Sequence, residues 1–136
     1  MATKTTERYI EGLGRRKTAT ARVRLTHAQK TTVMVNEKDL TDYFPHIALQ
    51  QDVTSVLETK DAGIEHYEIT AKVLGGGLSS QAEAIRLGIA RALVKEKADR
   101  RITLKKAGFL KRDQRSVERK KPGLLKARKR PAWSKR

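Results

Sequence analysis

The sequence predicts a small α+β body carrying a long basic extension, and three observations predict it. Residues 18–25 alternate Ala19, Ala21, Val23 and Leu25 with Thr18, Thr20, Arg22 and Arg24, the period of two of a half-buried strand. Residues 79–97 carry Ala82, Ile85, Ile89, Ala92 and Leu93 at helical spacing. Residues 101–136 hold 15 Lys or Arg against two acidic side chains, Asp113 and Glu118, so the formal charge of +16 divides into +3 on the first 100 residues and +13 on the rest. A hundred residues suffice for one modest core. The expected organisation is a flexible N-terminus at 1–8, a globular domain at 9–100 and an extended tail at 101–136 that is ordered only on a partner.

Taken in order, residues 9–14 read as a short strand entering a glycine turn at Gly12 and Gly14, followed by the cationic triplet Arg15, Arg16, Lys17. The alternating strand comes next, with Arg22 and Arg24 on its open face. Residues 31–35 are a second β-branched run with Asn36 and Glu37 as its turn, expected to pair antiparallel with the strand before it. Residues 39–44 form a short helical or turn element closed by Pro45. A helix over 46–57 would bury Ile47, Val53 and Leu57. Residues 64–74 form a strand that faces Lys72 outward and ends at Gly75, Gly76 and Gly77.

The strongest helix begins at Ser79 or Ser80, where Ser80 and Glu83 have the spacing of a capping box. Arg91 and Lys95 lie away from its stripe, while Leu87 and Val94 form a second apolar line that points to the tail or a neighbour. After Asp99 the pattern decays, and residues 101–106 add a turn or a short strand.

Composition narrows the function. The chain has no cysteine, which removes disulfides and thiolate metal sites and fits a reducing compartment. His27, His46 and His66 are too far apart for a metal-ligand spacing and read as surface or turn residues. No apolar run approaches the roughly 20 residues that span a bilayer. The first seven residues show neither a signal-peptide core nor an Arg-rich presequence, which makes the cytoplasm the expected location. No nucleophile–base pair or carboxylate dyad stands out, and neither an enzyme nor a cofactor, metal, membrane or small-molecule substrate is expected. With two Phe, three Tyr and one Trp, nucleic-acid contact would lean on phosphate charge more than on base stacking.

Three basic features are candidate sites. In the tail, Lys105 and Lys106, Lys111 and Arg112, Arg119 to Lys121, and Lys126 to Arg130 alternate with Phe109, Leu110, Val117, Leu124 and Leu125, a pattern suited to threading between nucleic-acid helices. A solubility tail, a nuclear-localisation signal, a membrane-surface patch and a DNA-compacting arm are the competing readings. The Gly14 to Lys17 segment, beside Arg22 and Arg24, suits a phosphate approached by backbone and guanidinium groups, or is an ordinary charged turn. Gly75, Gly76, Gly77 and Ser79 precede a helix N-terminus and form a possible phosphate-approach loop. That loop resembles the phosphate loop of small-metabolite kinases, but the body is too short for a nucleotide pocket and a substrate domain, and the serines would serve equally as helix caps.

The segments Gly12 to Ala19, Tyr43-Phe44-Pro45, Gly75 to Ser79, Gln81-Ala82, Ile89 to Leu93, Val117 to Lys121 and terminal Ser134-Lys135-Arg136 resemble, in order, the family of the ninth protein of the small ribosomal subunit in its bacterial form. The resemblance implies a two-layer α+β sandwich with a mostly antiparallel four-stranded sheet, backed by helices and containing a left-handed β-α-β crossover. It implies binding to the 3′ major domain of small-subunit ribosomal RNA in the subunit head, beside neighbouring head proteins, with the tail reaching the anticodon stem-loop of peptidyl-site transfer RNA. By position, Ser134, Lys135 and Arg136 would contact that transfer RNA. Arg15, Arg16, Lys17, Arg22 and Arg24 in the body would contact ribosomal RNA. So would Lys105, Lys106, Lys111, Arg112, Arg115, Arg119, Lys120, Lys121, Lys126, Arg128, Lys129 and Arg130 in the tail. The chain departs from the family pattern at His27-Ala28-Gln29, where a Pro-Gly turn is usual, and at Leu87, Pro122 and Trp133. It also departs at Ser80 and Glu83, where small residues are common and where a glutamate near RNA must face solvent or cap the helix.

Overall fold

Five strands join into one sheet in the computed structural model, which describes residues 8–134. They are β1 (Ile10–Arg16), β2 (Ala19–His27), β3 (Thr32–Val35), β4 (Lys38–Asp39) and β5 (Tyr67–Leu74), in the order β1-β2-β5-β3-β4. Three neighbouring pairs are antiparallel and β3 runs parallel to β5, so the sheet is mixed and has five strands where a mostly antiparallel sheet of four was expected. The expected pairing of β3 with β2 also fails. The nine-residue β2 gives its free edge to the longer β5, from Thr20 opposite Leu74 to His27 opposite Tyr67, and the four-residue β3 takes β5's far edge.

Alternation decides which face is covered. Ala19, Ala21, Val23 and Leu25 of β2 and Tyr67, Ile69, Ala71 and Val73 of β5 are all buried. They pack beneath α3 (Leu78–Glu96), whose stripe Ala82, Ile85, Ile89, Ala92 and Leu93 is fully buried. Two short helices, α1 (Leu40–Tyr43) and α2 (Ile47–Thr54), follow β4. α2 buries Val53, but Ile47 is 69% exposed where the sequence suggested burial, because the core-facing side of the helix runs through Leu49 and Val53, four residues apart, and Ile47 lies off that line. Leu57 is half-buried, and Val56 joins Val53 in the core.

Gly12 and Gly14 are strand residues rather than a turn. Both sit on the covered face of β1 against the backbone of α3, where a Cβ on Gly14 would overlap the Ala84 carbonyl oxygen and lie 2.7 Å from the Gly88 nitrogen. The chain turns one step later, at Lys17, with φ 51°. The β3–β4 hairpin closes through Asn36 and Glu37, both with positive φ as in a type I′ turn. The Asn36 side chain then pairs with Val73 like an extra strand residue, accepting from its N–H at 2.9 Å and donating to its carbonyl at 3.1 Å. Asn36 also donates to the Tyr43 hydroxyl, which donates to Gln81, and Gln81 donates to the Gly75 carbonyl. One hydrogen-bonded chain thus ties the hairpin, α1, α3 and the glycine loop together.

Beyond Asp99 the chain forms a further helix, α4 (Arg100–Lys106), instead of the expected turn or strand. It is held by Leu104, fully buried, and by Arg100, 3% exposed. Arg100 donates to the carbonyls of Ala62 and Gly63, to the Tyr67 hydroxyl and to Glu96. Tyr67 also donates to Glu96, and His27 Nε2 lies 2.7 Å from the same carboxylate. Burial, reinforced by Glu96, pushes the Tyr67 hydroxyl up to about 12. Burial also works against the Glu96 charge, yet the hydrogen bonds from Tyr67 and Arg100 win and hold its carboxyl below the usual value. A sequence window cannot see this network, because its members come from β2, β5, α3, α4 and the 3-10 turn Lys60–Ala62.

Candidate nucleic-acid interface

The cationic triplet at the end of β1 splits by strand geometry. Arg15 and Lys17 are exposed, whereas Arg16 shares the covered face with Gly12 and Gly14 and is 8% exposed. A buried guanidinium needs partners for its fork of donors. Arg16 Nε donates to Glu83 of α3 at 2.6 Å, Nη1 donates to the Arg115 carbonyl, and Nη2 lies 3.3 Å from Asp113. Glu83 therefore does not cap the helix; it pairs with Arg16 and stays partly exposed. The capping box is absent: α3 starts at Leu78 with Gly77 as its N-cap and no side-chain cap bond, which places Ser80 inside the first turn.

The result is a latch. One arginine joins β1, α3 and the start of the tail across 99 residues of sequence. Asp113 is gripped from the other side by Arg115, whose side chain reaches it at 2.8 Å and whose backbone N–H reaches it at 2.9 Å. Those bonds, with the charge of Arg16 nearby, hold the Asp113 carboxyl well below the usual carboxylate range. Leu87 is buried and lines a small cavity with Phe109, so the Leu87 end of the second apolar line on α3 meets the tail, while Val94 packs against the core.

Segment 111–117 then runs between two open concavities. One, of about 520 Å³, is lined by Arg86, Lys111, Arg112, Asp113 and Arg115 among others. The other, of about 510 Å³, lies by Lys17, Thr18, Arg112 and Arg115. Arg86 has no counterpart among the sequence-predicted residues. It stands three positions after Glu83 and one before Leu87, and that spacing on the tail-facing side of α3 is the signal that could have found it.

The open face of the sheet presents Arg22 and Arg24, but Glu11 already lies 3.4 Å from each of their Nε atoms, and Tyr9 stacks 4.5 Å from the Arg24 guanidinium. Lys72 continues the row, beside a concavity of about 270 Å³ that Met34 also lines. Farther along the tail, Lys105, Lys106, Lys111, Arg112, Arg115, Arg119, Lys120, Lys121, Lys126, Arg128, Lys129 and Arg130 are all exposed. Glu118 bonds both Lys121 and Arg128, folding the chain back around Pro122 and Gly123. Ser134 and Trp133 are exposed, and Lys135 and Arg136 lie outside the described residues, as do residues 1–7.

The glycine loop is positioned by packing. A Cβ on Gly75 would meet the Thr18 carbonyl oxygen at 2.7 Å and one on Gly76 would meet Ala19 at 2.9 Å, so both glycines let the loop lie against the β1–β2 hairpin. Gly77 and Ser79 are exposed at the start of α3. Among the described residues no cluster of His, Cys, Asp and Glu could hold a metal ion, and no helix is long and apolar enough to cross a membrane.

Comparison with known proteins adds a family to this geometry. The family model described as "Ribosomal protein S9/S16" matches residues 14–136. The "Small ribosomal subunit protein uS9" of Mycobacterium bovis (strain BCG / Pasteur 1173P2) is 51% identical over 130 residues, spanning 96% of this chain and 85% of its own length. The protein of the same name from Mycobacterium tuberculosis (strain ATCC 25177 / H37Ra) matches with the same identity and coverage.

Proposed function

The chain belongs to the ribosomal protein S9/S16 family, and from that premise we propose that it anchors in the head of the small subunit and extends its tail to the peptidyl site. It is a structural component of the small ribosomal subunit and not an enzyme. Its place is in the ribosome, in the cytoplasm, against ribosomal RNA and neighbouring ribosomal proteins. The finer reading is that the body and tail bind the 3′ major domain of the ribosomal RNA, and that the last residues touch the anticodon stem-loop of peptidyl-site transfer RNA. Lys135 and Arg136 would supply the terminal charges, with Ser134 beside them.

The observation that carries this reading is the charge division: 15 cations in a 36-residue arm stand against a body of nearly balanced charge, and the root of the arm is held by Leu104, Phe109 and the Arg16 latch. Each phosphate the arm neutralises releases counterions, so affinity falls with salt by roughly 0.7–0.9 log units per phosphate per log unit of salt. The body then serves to aim the arm.

Removing Ser134, Lys135 and Arg136 is the test. The shortened protein is expected to enter small subunits at wild-type occupancy while the subunits retain peptidyl-site transfer RNA several-fold less well. Failure to incorporate would instead make the terminus an assembly anchor. Unchanged transfer-RNA retention would remove the terminal contact altogether.

A further inference from the structure

We propose that Arg86 of α3, together with Lys111, Arg112 and Arg115 of the tail root, forms a composite site for RNA backbone phosphates, held in shape by Arg16 and Asp113 as positioning residues. The inference rests on the reading that this chain binds RNA and assigns part of that binding to a place on the molecule.

The concavity of about 520 Å³ gathers four cations and one carboxylate. That carboxylate, Asp113, is already bonded by Arg115 and lies 3.3 Å from Arg16, so its charge is answered from behind and the lining keeps a surplus of positive charge. Arg86 is held only weakly: its partner Asp52 is 3.6 Å away and that side chain is 45% exposed, a geometry worth little against a phosphate. Guanidinium groups recognise phosphate through paired N–H donors, which Arg86 and Arg112 offer, while the Nε and Nη2 of Arg115 already donate to Asp113 and that residue contributes charge. The walls come from two parts of the chain. One is a 19-residue helix, and the other is a segment with no helix or strand, tied to the body by Phe109 and Leu110 just before it and by the latch at Asp113 and Arg115. Arg16 and Asp113 therefore set whether Lys111, Arg112 and Arg115 converge with Arg86 or scatter.

The probe is the 3′ major domain of small-subunit ribosomal RNA, bound by the full chain over a salt titration. Arg86→Gln is expected to weaken binding about five- to tenfold at 0.1 M salt and to flatten the log–log slope by roughly 0.7–0.9, one phosphate's worth. Arg86→Lys, which keeps the charge, is expected to keep the slope. In an Arg16→Gln background the further change Arg86→Gln should cost less than twofold, because the site is already dispersed. If Arg16→Gln does not fold, Asp113→Asn serves in its place. Wild-type affinity and slope in Arg86→Gln, with the parent protein still steeply salt-dependent, would overturn the site and leave the RNA-binding reading standing. A parent protein without salt dependence would overturn that reading instead. A full Arg86→Gln effect in the latch variants would remove the positioning role.

Discussion

Gly14→Ala is expected to remove much of the stability of the purified protein and to shift its unfolding midpoint far below the parent's. The added methyl would overlap the Ala84 carbonyl oxygen and crowd the Gly88 nitrogen, and both belong to the backbone of α3. Backbone hydrogen-bonded within a 19-residue helix cannot rotate aside as a side chain can. The alternative is to lift α3 from β1, which opens the core along the stripe from Ala82 to Leu93. Overpacking of this severity costs more than about 4 kcal/mol, against a net stability of about 5–15 kcal/mol for an ordinary domain. Gly77→Ala is the control. Nothing lies within 4 Å of a Cβ there, and the cost is expected to be about 1 kcal/mol or less. Urea unfolding checks both, and a Gly14→Ala protein with the parent's midpoint would show that sheet and helix are farther apart than described.

Arg100→Ala is expected to destabilise the body by about 3 kcal/mol, since it strips a buried guanidinium from a carboxylate, a phenol and two carbonyls. The figure sits at the low end for a broken buried pair, because His27 Nε2, 2.7 Å from Glu96, and the Tyr67 hydroxyl remain as partners for the carboxylate. The loss should also depend on pH. In the parent, Glu96 titrates below its ordinary value of 4.5, so its ionisation contributes stability that is present above pH 4.5 and lost as pH falls through the lowered folded value. Without Arg100 that depression shrinks and the parent loses more stability on acidification than the variant does. The gap between them should therefore narrow below pH 4.5, as thermal unfolding at a series of pH values would show. A constant gap would mean that Glu96 is not the group left unpaired.

The parts of this fold that were legible in the sequence are those set by a local period. The alternation in β2 named its buried side chains, and the stripe on α3 named the core of the second layer. The misreadings share a cause, which is that one local pattern serves two physical ends. Gly12 and Gly14 look like a turn because glycine permits tight turns, but it also permits the closest approach of a strand to a helix. Ser80 and Glu83 have a capping spacing, yet Glu83 is taken by an arginine far away in sequence. The pairing of β3 with β5 follows from which long strand claims β2, and nothing within residues 31–35 encodes that competition.

The candidate interface divides the same way. Charge is additive along the chain, so the tail was evident from a count of residues. Where the tail leaves the body was not, because that depends on Arg16 turning inward while Arg15 and Lys17 turn out. Arg86 was missed for a related reason: on α3 alone it is one more surface cation, and only the tail root beside it makes it part of a site.

The central claim is that a positively charged arm, aimed by a small folded body, holds this chain on ribosomal RNA. The most direct measurement is the affinity of the full-length protein for the 3′ major domain RNA across a salt titration. The account predicts a straight log–log plot whose slope corresponds to several neutralised phosphates, at roughly 0.7–0.9 each. An affinity that barely changes across the titration would contradict it.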